Sequence, residues 1–312
     1  MTDGTADLRT ALGDLVLANP VMVAAGCVPS DGHATSLVDA SVPGALVTRS
    51  VTLDERAGSP PPRVVETAAG LLVDTGLQSP GLQGFLATEL PRLVQRGARV
   101  VVSIAGQNLG EYAELARRLG SAPGVAAVEV NLGWPEDGQA ARDSYQATKI
   151  VAAVRRDMPR GVPVLAKLAT DVHHVVDVAR AVVKAGADAV VVGHGVPGLA
   201  IDPVTLRPAL GAGTGMLGGP AAHAVALRCV WQLHAAIPEL PVVACGGVRD
   251  TASALAMLAA GARAVQVGTA VLHDPSVPQR VVAGIVDELV RRRLPDVAAV
   301  VGSAHRSQGE PR

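Results

Sequence analysis

The stretch Ala185-Gly186-Ala187-Asp188-Ala189-Val190-Val191-Val192-Gly193 decides the fold. A run of helical period ends in an Ala-Gly-Ala break, where glycine supplies the helix cap, and an apolar run too short for a helix follows at once. The same sequence of events recurs at Gly261-Ala262-Arg263, which leads into Ala264 to Val267. Working outward, eight such strands can be read: Val21 to Ala24, Ala45 to Thr48, Val100 to Ile104, Val128 to Asn131, Val164 to Lys167, Ala189 to Gly193, Val242 to Cys245 and Ala264 to Val267. Helical segments lie between them, at Leu109 to Leu119, Ala141 to Arg156, His174 to Ala185, Ala221 to Ala236 and Thr251 to Ala260. Strands that alternate with helices along a whole chain predict a parallel sheet, and eight of them close most economically as an α/β (β/α)8 TIM barrel.

The barrel is expected to span residues 1–312 as one domain, with a flexible tail from 295 to 312. Two connections exceed the minimal unit, 51–84 and 195–219, both rich in Gly and Pro. Loops of that length are usually functional, and both follow strands, which puts them over the C-terminal face where barrel enzymes keep their chemistry.

With 49% hydrophobic but only 2% aromatic residues, the core has to be packed from Ala, Val and Leu. A net charge of −1, with no basic run beyond Arg291, Arg292 and Arg293, argues against a nucleic-acid partner. Cys27, Cys229 and Cys245 form no CxxC pair, so neither a metal site nor a disulfide framework is expected, and the setting is read as reducing and cytoplasmic. The N-terminus has no basic start followed by an apolar run, and no stretch reads as a membrane span.

Chemistry first shows in the glycines. Ala244-Cys245-Gly246-Gly247-Val248 closes the seventh strand and Gln266-Val267-Gly268-Thr269 the eighth. In this fold the loops after those strands commonly bind phosphate, because glycine lets backbone N–H groups approach the oxygens. Either pair alone reads equally as a tight turn, but two at consecutive strand ends favour a bound phosphate.

A wider set of residues resembles one family. Val47-Thr48-Arg49-Ser50-Val51-Thr52-Leu53, Pro60-Pro61-Pro62-Arg63, Glu66-Thr67 and Gly76-Leu77-Gln78-Ser79-Pro80-Gly81 are similar to the class 1 dihydroorotate dehydrogenases, the B type in particular. So are Asn19-Pro20, Glu129-Val130-Asn131-Leu132, Lys167-Leu168, Gly198-Leu199-Ala200-Ile201-Asp202, Gly219-Pro220-Ala221 and Val265-Gln266-Val267-Gly268-Thr269. The matches are collinear over roughly residues 12 to 290. The resemblance implies an FMN-dependent oxidoreductase. Ala25 and Gly26 would line the flavin, Ser50 would approach its reactive edge, and Lys167 would bind ring and ribityl oxygens. Gly219, Gly246, Gly247, Gly268 and Thr269 would hold the phosphate. A homodimer is implied in the same way, and B-type relatives pair with an iron–sulfur and FAD subunit, a partner that no local feature of this chain indicates.

The substrate half departs from the pattern. Where the family reads Asn-Ile-Ser-Cys-Pro-Asn, with the cysteine as base, this chain reads Asn131-Leu132-Gly133-Trp134-Pro135-Glu136. Trp134 takes the cysteine's place, and an indole N–H donates but cannot accept a proton. Where the family uses asparagines against orotate, this chain has Val73, Ser79, Ser103 and His194, and only Asn131 is retained. Each lost hydrogen bond costs about 1 kcal/mol or more, so tight orotate binding is not expected. Arg49 replaces a lysine beside the flavin, and its planar fork suits a carboxylate.

The candidates for chemistry are therefore His194, Glu136 and Asp74 as acid or base, Arg49 as an anion grip, and Trp134 as a stacking surface or a plug. His194 can equally be a histidine satisfied by backbone. His173 and His174 read as solvent-facing and His223 as structural. Three functions stay open: an oxidoreductase acting on another small cyclic or unsaturated molecule, a true dihydroorotate dehydrogenase with a non-standard base, and a flavin-binding protein without catalysis.

Overall fold

The computed structural model describes residues 6–28, 38–133, 143–171 and 173–306. The first strands, β1 (Thr10–Leu12) and β2 (Leu15–Leu17), form an antiparallel hairpin that the strand count did not anticipate. After β3 (Val21–Val23) and β4 (Ala45–Val47) come β5 (Val64–Thr67) and β6 (Gly70–Val73), then β7 (Val100–Ile104), β8 (Val125–Asn131), β9 (Val164–Leu168) and β10 (Ala189–Val192). The remaining strands are β11 (Val196–Leu199), β12 (Thr214–Gly218), β13 (Val242–Cys245) and β14 (Ala264–Val267). The eight expected strands pair in parallel as a closed barrel in the order β10-β13-β14-β3-β4-β7-β8-β9.

Two apolar layers hold the barrel. Its interior is lined by Met22, Ala45, Val47, Val101, Ala127, Leu165, Ala189, Val191, Val243 and Ala264, and the hairpin leucines Leu12, Leu15 and Leu17 pack into the same cluster. These leucines are at most 1% exposed, and burying each contributes roughly 1.5–3 kcal/mol, so the hairpin plugs the barrel floor. Strand residues of the other parity face the helices. The Leu109–Gly120 helix shows why those helices dock: Asn108 caps its start by accepting from Glu111 N, and Tyr112, Leu115, Ala116 and Leu119 recur on one face and are buried.

Three expectations need correction. The connections 51–84 and 195–219 are not simple loops. They contribute a four-stranded antiparallel sheet, ordered β11-β12-β6-β5, in which Met216 pairs with Val73. Short Pro- and Gly-punctuated runs concealed these strands. The tail is not flexible from residue 295. Val297 is 1% exposed and its N–H donates to Asp7 O, Asp296 accepts from Ala299 N, and the His305 ring stacks on Trp231 with centroids 3.6 Å apart. Only 307–312 of that tail lie outside the described residues. Finally, the helix expected from Ala221 starts as a single 3-10 turn, Pro220–Ala222, and becomes α-helical at His223.

Candidate active site

Strand parity builds the mouth of the barrel. The side chains two or four residues beyond the apolar interior layer are Ser103 on β7, Glu129 and Asn131 on β8, Lys167 on β9 and Gln266 on β14, all buried. An apolar plug below and a polar ring above therefore follow from one alternation in each strand.

The centre of the ring is a buried ion pair. Lys167 Nζ donates to Gln266 Oε1 at 3.0 Å and lies 3.3 Å from Glu129 Oε1, while Gln266 Nε2 donates to Glu129 Oε2 at 2.6 Å. Burial alone would lower the Lys167 pKa. That is the largest single effect, but Glu129, Cys245 and Cys27 together outweigh it, and the ammonium is held charged with its pKa above the ordinary value. Lys167 is thus no surface lysine. Glu129 and Gln266 were not singled out from sequence, although polar residues of inward parity in otherwise apolar strands were the available signal.

A second cluster joins three strand ends. Asn131 Nδ2 donates to Ser50 Oγ at 3.1 Å, and Ser50 Oγ lies 2.9 Å from Ser103 Oγ. Asn131 Oδ1 accepts from Gly133 N at 3.2 Å, and its backbone carbonyl accepts from Tyr112 Oη at 3.0 Å, which ties the loop to the Leu109–Gly120 helix. Among the described residues, one amide N–H of Asn131 therefore has no partner. The hydroxyls of Ser50 and Ser103 already face each other.

The glycines converge from three places in the chain. A Cβ on Gly247 would lie 2.6 Å from His223 Cβ and 2.9 Å from Gly219 O, and one on Gly218 would lie 2.6 Å from Thr269 Oγ1. Gly219 and Gly247 have φ of 95° and 68°, a region that L side chains rarely adopt. Gly219, Gly247 and Thr269 consequently meet, with Gly246 and Gly268 beside them in the chain, as one cluster of small residues. His223 Nδ1 donates to Gly246 O at 3.2 Å and so braces it. Gly26, with φ of 79°, would point a Cβ into open space, and Ala25 beside it is half-buried.

The remaining candidates separate. His194 is half-buried just beyond the end of β10, where loss of solvent around the ring first and the Lys167 charge second push its pKa down to about 3. An imidazole so placed is neutral at physiological pH and is not an acid in the imidazolium form. Cys27 and Cys245 do not replace a missing base: burial raises both thiols, Cys27 to about 12. Ser79 Oγ accepts from Thr52 N and Gly81 N at 3.2 Å each, so it fixes its own loop. Asp74 accepts from Ser59 Oγ and Gly76 N, likewise within its loop. Val73 is half-buried on β6. Arg49 is half-buried at the end of β4 with no hydrogen bond or ion pair from its guanidinium among the described residues. His174 is exposed and paired with Asp171 at 2.8 Å. Trp134 and Glu136 lie outside the described residues.

Among the described residues, no helix is long and apolar enough to cross a membrane. A family profile described as dihydroorotate dehydrogenase matches residues 7–289. The chain is 40% identical over 301 residues to a protein of Desulforudis audaxviator named dihydroorotate dehydrogenase B (NAD(+)), catalytic subunit, covering 96% of this chain and 98% of that one. Proteins of the same name from Geotalea daltonii and Geotalea uraniireducens are 39% and 38% identical, covering 95% and 96% of this chain and 98% and 99% of theirs.

Proposed function

Since this chain belongs to the dihydroorotate dehydrogenase family, we propose that it is an FMN-dependent oxidoreductase of that plan whose substrate is a small cyclic or unsaturated molecule other than dihydroorotate. When bound, FMN supplies hydride exchange at its N5 and stores the electron pair. The residues present fit that group. The cluster of small residues Gly219, Gly246, Gly247, Gly268 and Thr269 suits a phosphate, and the charged, buried Lys167 suits an electron-rich ring edge and ribityl oxygens. Ala25 and Gly26 would line the ring, with Ser50 near its reactive edge.

The chain's own residues orient and hold protons. Glu129 and Gln266 hold the Lys167 ammonium charged and in place. Asn131 offers one N–H toward the mouth and Ser50 Oγ a hydroxyl backed by Ser103. Arg49, with no partner for its guanidinium among the described residues, would grip a carboxylate bidentately. Trp134 and Glu136 belong to the same reading, as a stacking surface and as an alternative base.

The observation that carries the altered substrate is the closed Asn131–Ser50–Ser103 chain, which spends most of its hydrogen bonds internally and leaves little to cage a ring of two amides. Similarity at 40% identity over nearly the full length to a protein named dihydroorotate dehydrogenase B supports the second reading, a true dihydroorotate dehydrogenase with another base. Anaerobic titration of the FMN-loaded protein with dihydroorotate separates the two. No bleaching of the flavin band is expected, and full bleaching within a turnover time overturns the first reading.

The relatives' designation as catalytic subunits supports a further subunit for this chain as well, read as the electron-transfer partner that the family resemblance implies, and a homodimer in a reducing, cytoplasmic setting is part of the same proposal. Light scattering of the purified chain is expected at twice the 31.6 kDa protomer mass.

A further inference from the structure

Gly133 is glycine for a reason that its own backbone does not supply. Its φ is outside the left-handed region, so any residue could adopt it. What excludes a side chain is His194: a Cβ on Gly133 would lie 2.8 Å from His194 Cγ, 2.9 Å from Cδ2 and 3.0 Å from Cβ. Two of these atoms belong to the ring and one to its root, so no rotation about the side chain's far end relieves the contact. The two residues stand at the ends of β8 and β10, with β9 and its Lys167 between them. The histidine therefore leans across the mouth of the barrel, and the missing side chain on β8 admits it.

We infer that His194, seated against Gly133, is the specificity-determining residue of this mouth, selecting a ligand that presents a single carbonyl or hydroxyl at that point over one that presents a ring amide. The chemistry follows from the shape of the group. A carboxamide offers a donor and an acceptor side by side, which matches the paired N–H and C=O of a cyclic amide. The two nitrogens of an imidazole point to different sides of the ring, so only one can face a ligand, and that one forms a single hydrogen bond. The neighbouring Lys167 charge and the burial of the ring keep the imidazole in the form that has one donor and one acceptor. This role rests on the proposed flavin enzyme, but the interlock with Gly133 does not.

The test uses the full chain with Gly133→Ala, His194→Ala and their double variant for the contact, since truncation removes the ring atoms that a Cβ would meet, and His194→Asn for the specificity. In melting experiments without ligand, Gly133→Ala is expected to lower the transition by roughly 2–5 °C, as overpacking does, and the double variant to recover more than half of that. A Gly133→Ala protein that melts with the wild type, or single effects that simply add, overturns the interlock. In the FMN-loaded proteins, orotate serves as the cyclic-amide probe and 2-cyclohexenone as the single-carbonyl probe, read by the shift of the visible flavin band. His194→Asn is expected to move the ratio of their dissociation constants at least tenfold toward orotate. An unchanged ratio overturns the specificity role. If no variant retains FMN, the flavin reading fails and the specificity role falls with it, while the melting cycle still decides the contact.

Discussion

Replacing Glu129 by Gln tests the centre of the site directly. The side chain is 0% exposed and its carboxylate sits 3.3 Å from the Lys167 ammonium, itself 5% exposed. At an effective dielectric near 20, charges at that separation attract by about 5 kcal/mol. Desolvating both ions consumes most of this, but removing one partner leaves the other charge buried alone, which costs about 3–5 kcal/mol. Gln266 Oε1 still accepts from Lys167 in the variant, so the lower end applies and the melting temperature falls by roughly 5 °C at neutral pH. The sign of the pH dependence is distinctive. In the wild type the Lys167 pKa is raised, so its contribution is complete below about 10.5 and is lost only as pH climbs through the higher folded value. In Glu129→Gln burial is unopposed and the folded pKa drops below the unfolded one, so the penalty at neutral pH shrinks as pH rises. Urea denaturation of both proteins at pH 7 and pH 9.5 reads this out. A variant as stable as the wild type at pH 7, or a deficit that grows with pH, refutes the reasoning.

Other outcomes follow from the same geometry. Gly247→Ala sets a Cβ 2.6 Å from His223 Cβ at a positive φ, and is expected to cost about 1–3 kcal/mol of stability and to lose flavin on gel filtration, read by absorbance. The His194 pKa of about 3 lies below its unfolded value of 6.5, so the unfolded chain binds the extra proton and stability falls with pH in that window. About 2 kcal/mol should be lost between pH 6.5 and pH 5 through this residue, and denaturation of His194→Asn should lack that increment. Truncation before Pro295 removes buried Val297 and the stack of His305 on Trp231, and should lower the melting temperature measurably instead of leaving it unchanged as loss of a loose tail would.

Much of the site could be read in advance because its residues sit at strand ends. Lys167 was recognisable as a cation closing an apolar strand, and the Gly246-Gly247 and Gly268-Thr269 pairs as small residues after consecutive strands. For Ser79, nothing local reveals that its hydroxyl accepts from Thr52 N, 27 residues away in sequence. His194 read as an acid or base on residue type alone. Its burial and its neighbour Lys167 depend on β9 lying beside β10, which the sequence order suggests but does not measure. The antiparallel sheet of β5, β6, β11 and β12 escaped because its halves lie in two separate Pro- and Gly-rich connections and are strands only when paired.

The amino-acid sequence on its own determined the barrel, since alternation of periods 2 and 3.6 and the glycine breaks between them are local properties that each segment carries wherever it lies. It also determined the inward parity of Ser103, Glu129, Asn131, Lys167 and Gln266. Only closure of the sheet decided which of these meet. Lys167 and Gln266 are 99 residues apart, and Gln266 and Glu129 are 137, so their hydrogen bonds exist because barrel register sets those side chains at one height. The same closure presses His194 against Gly133, a contact fixed by two backbones that share no sequence neighbourhood.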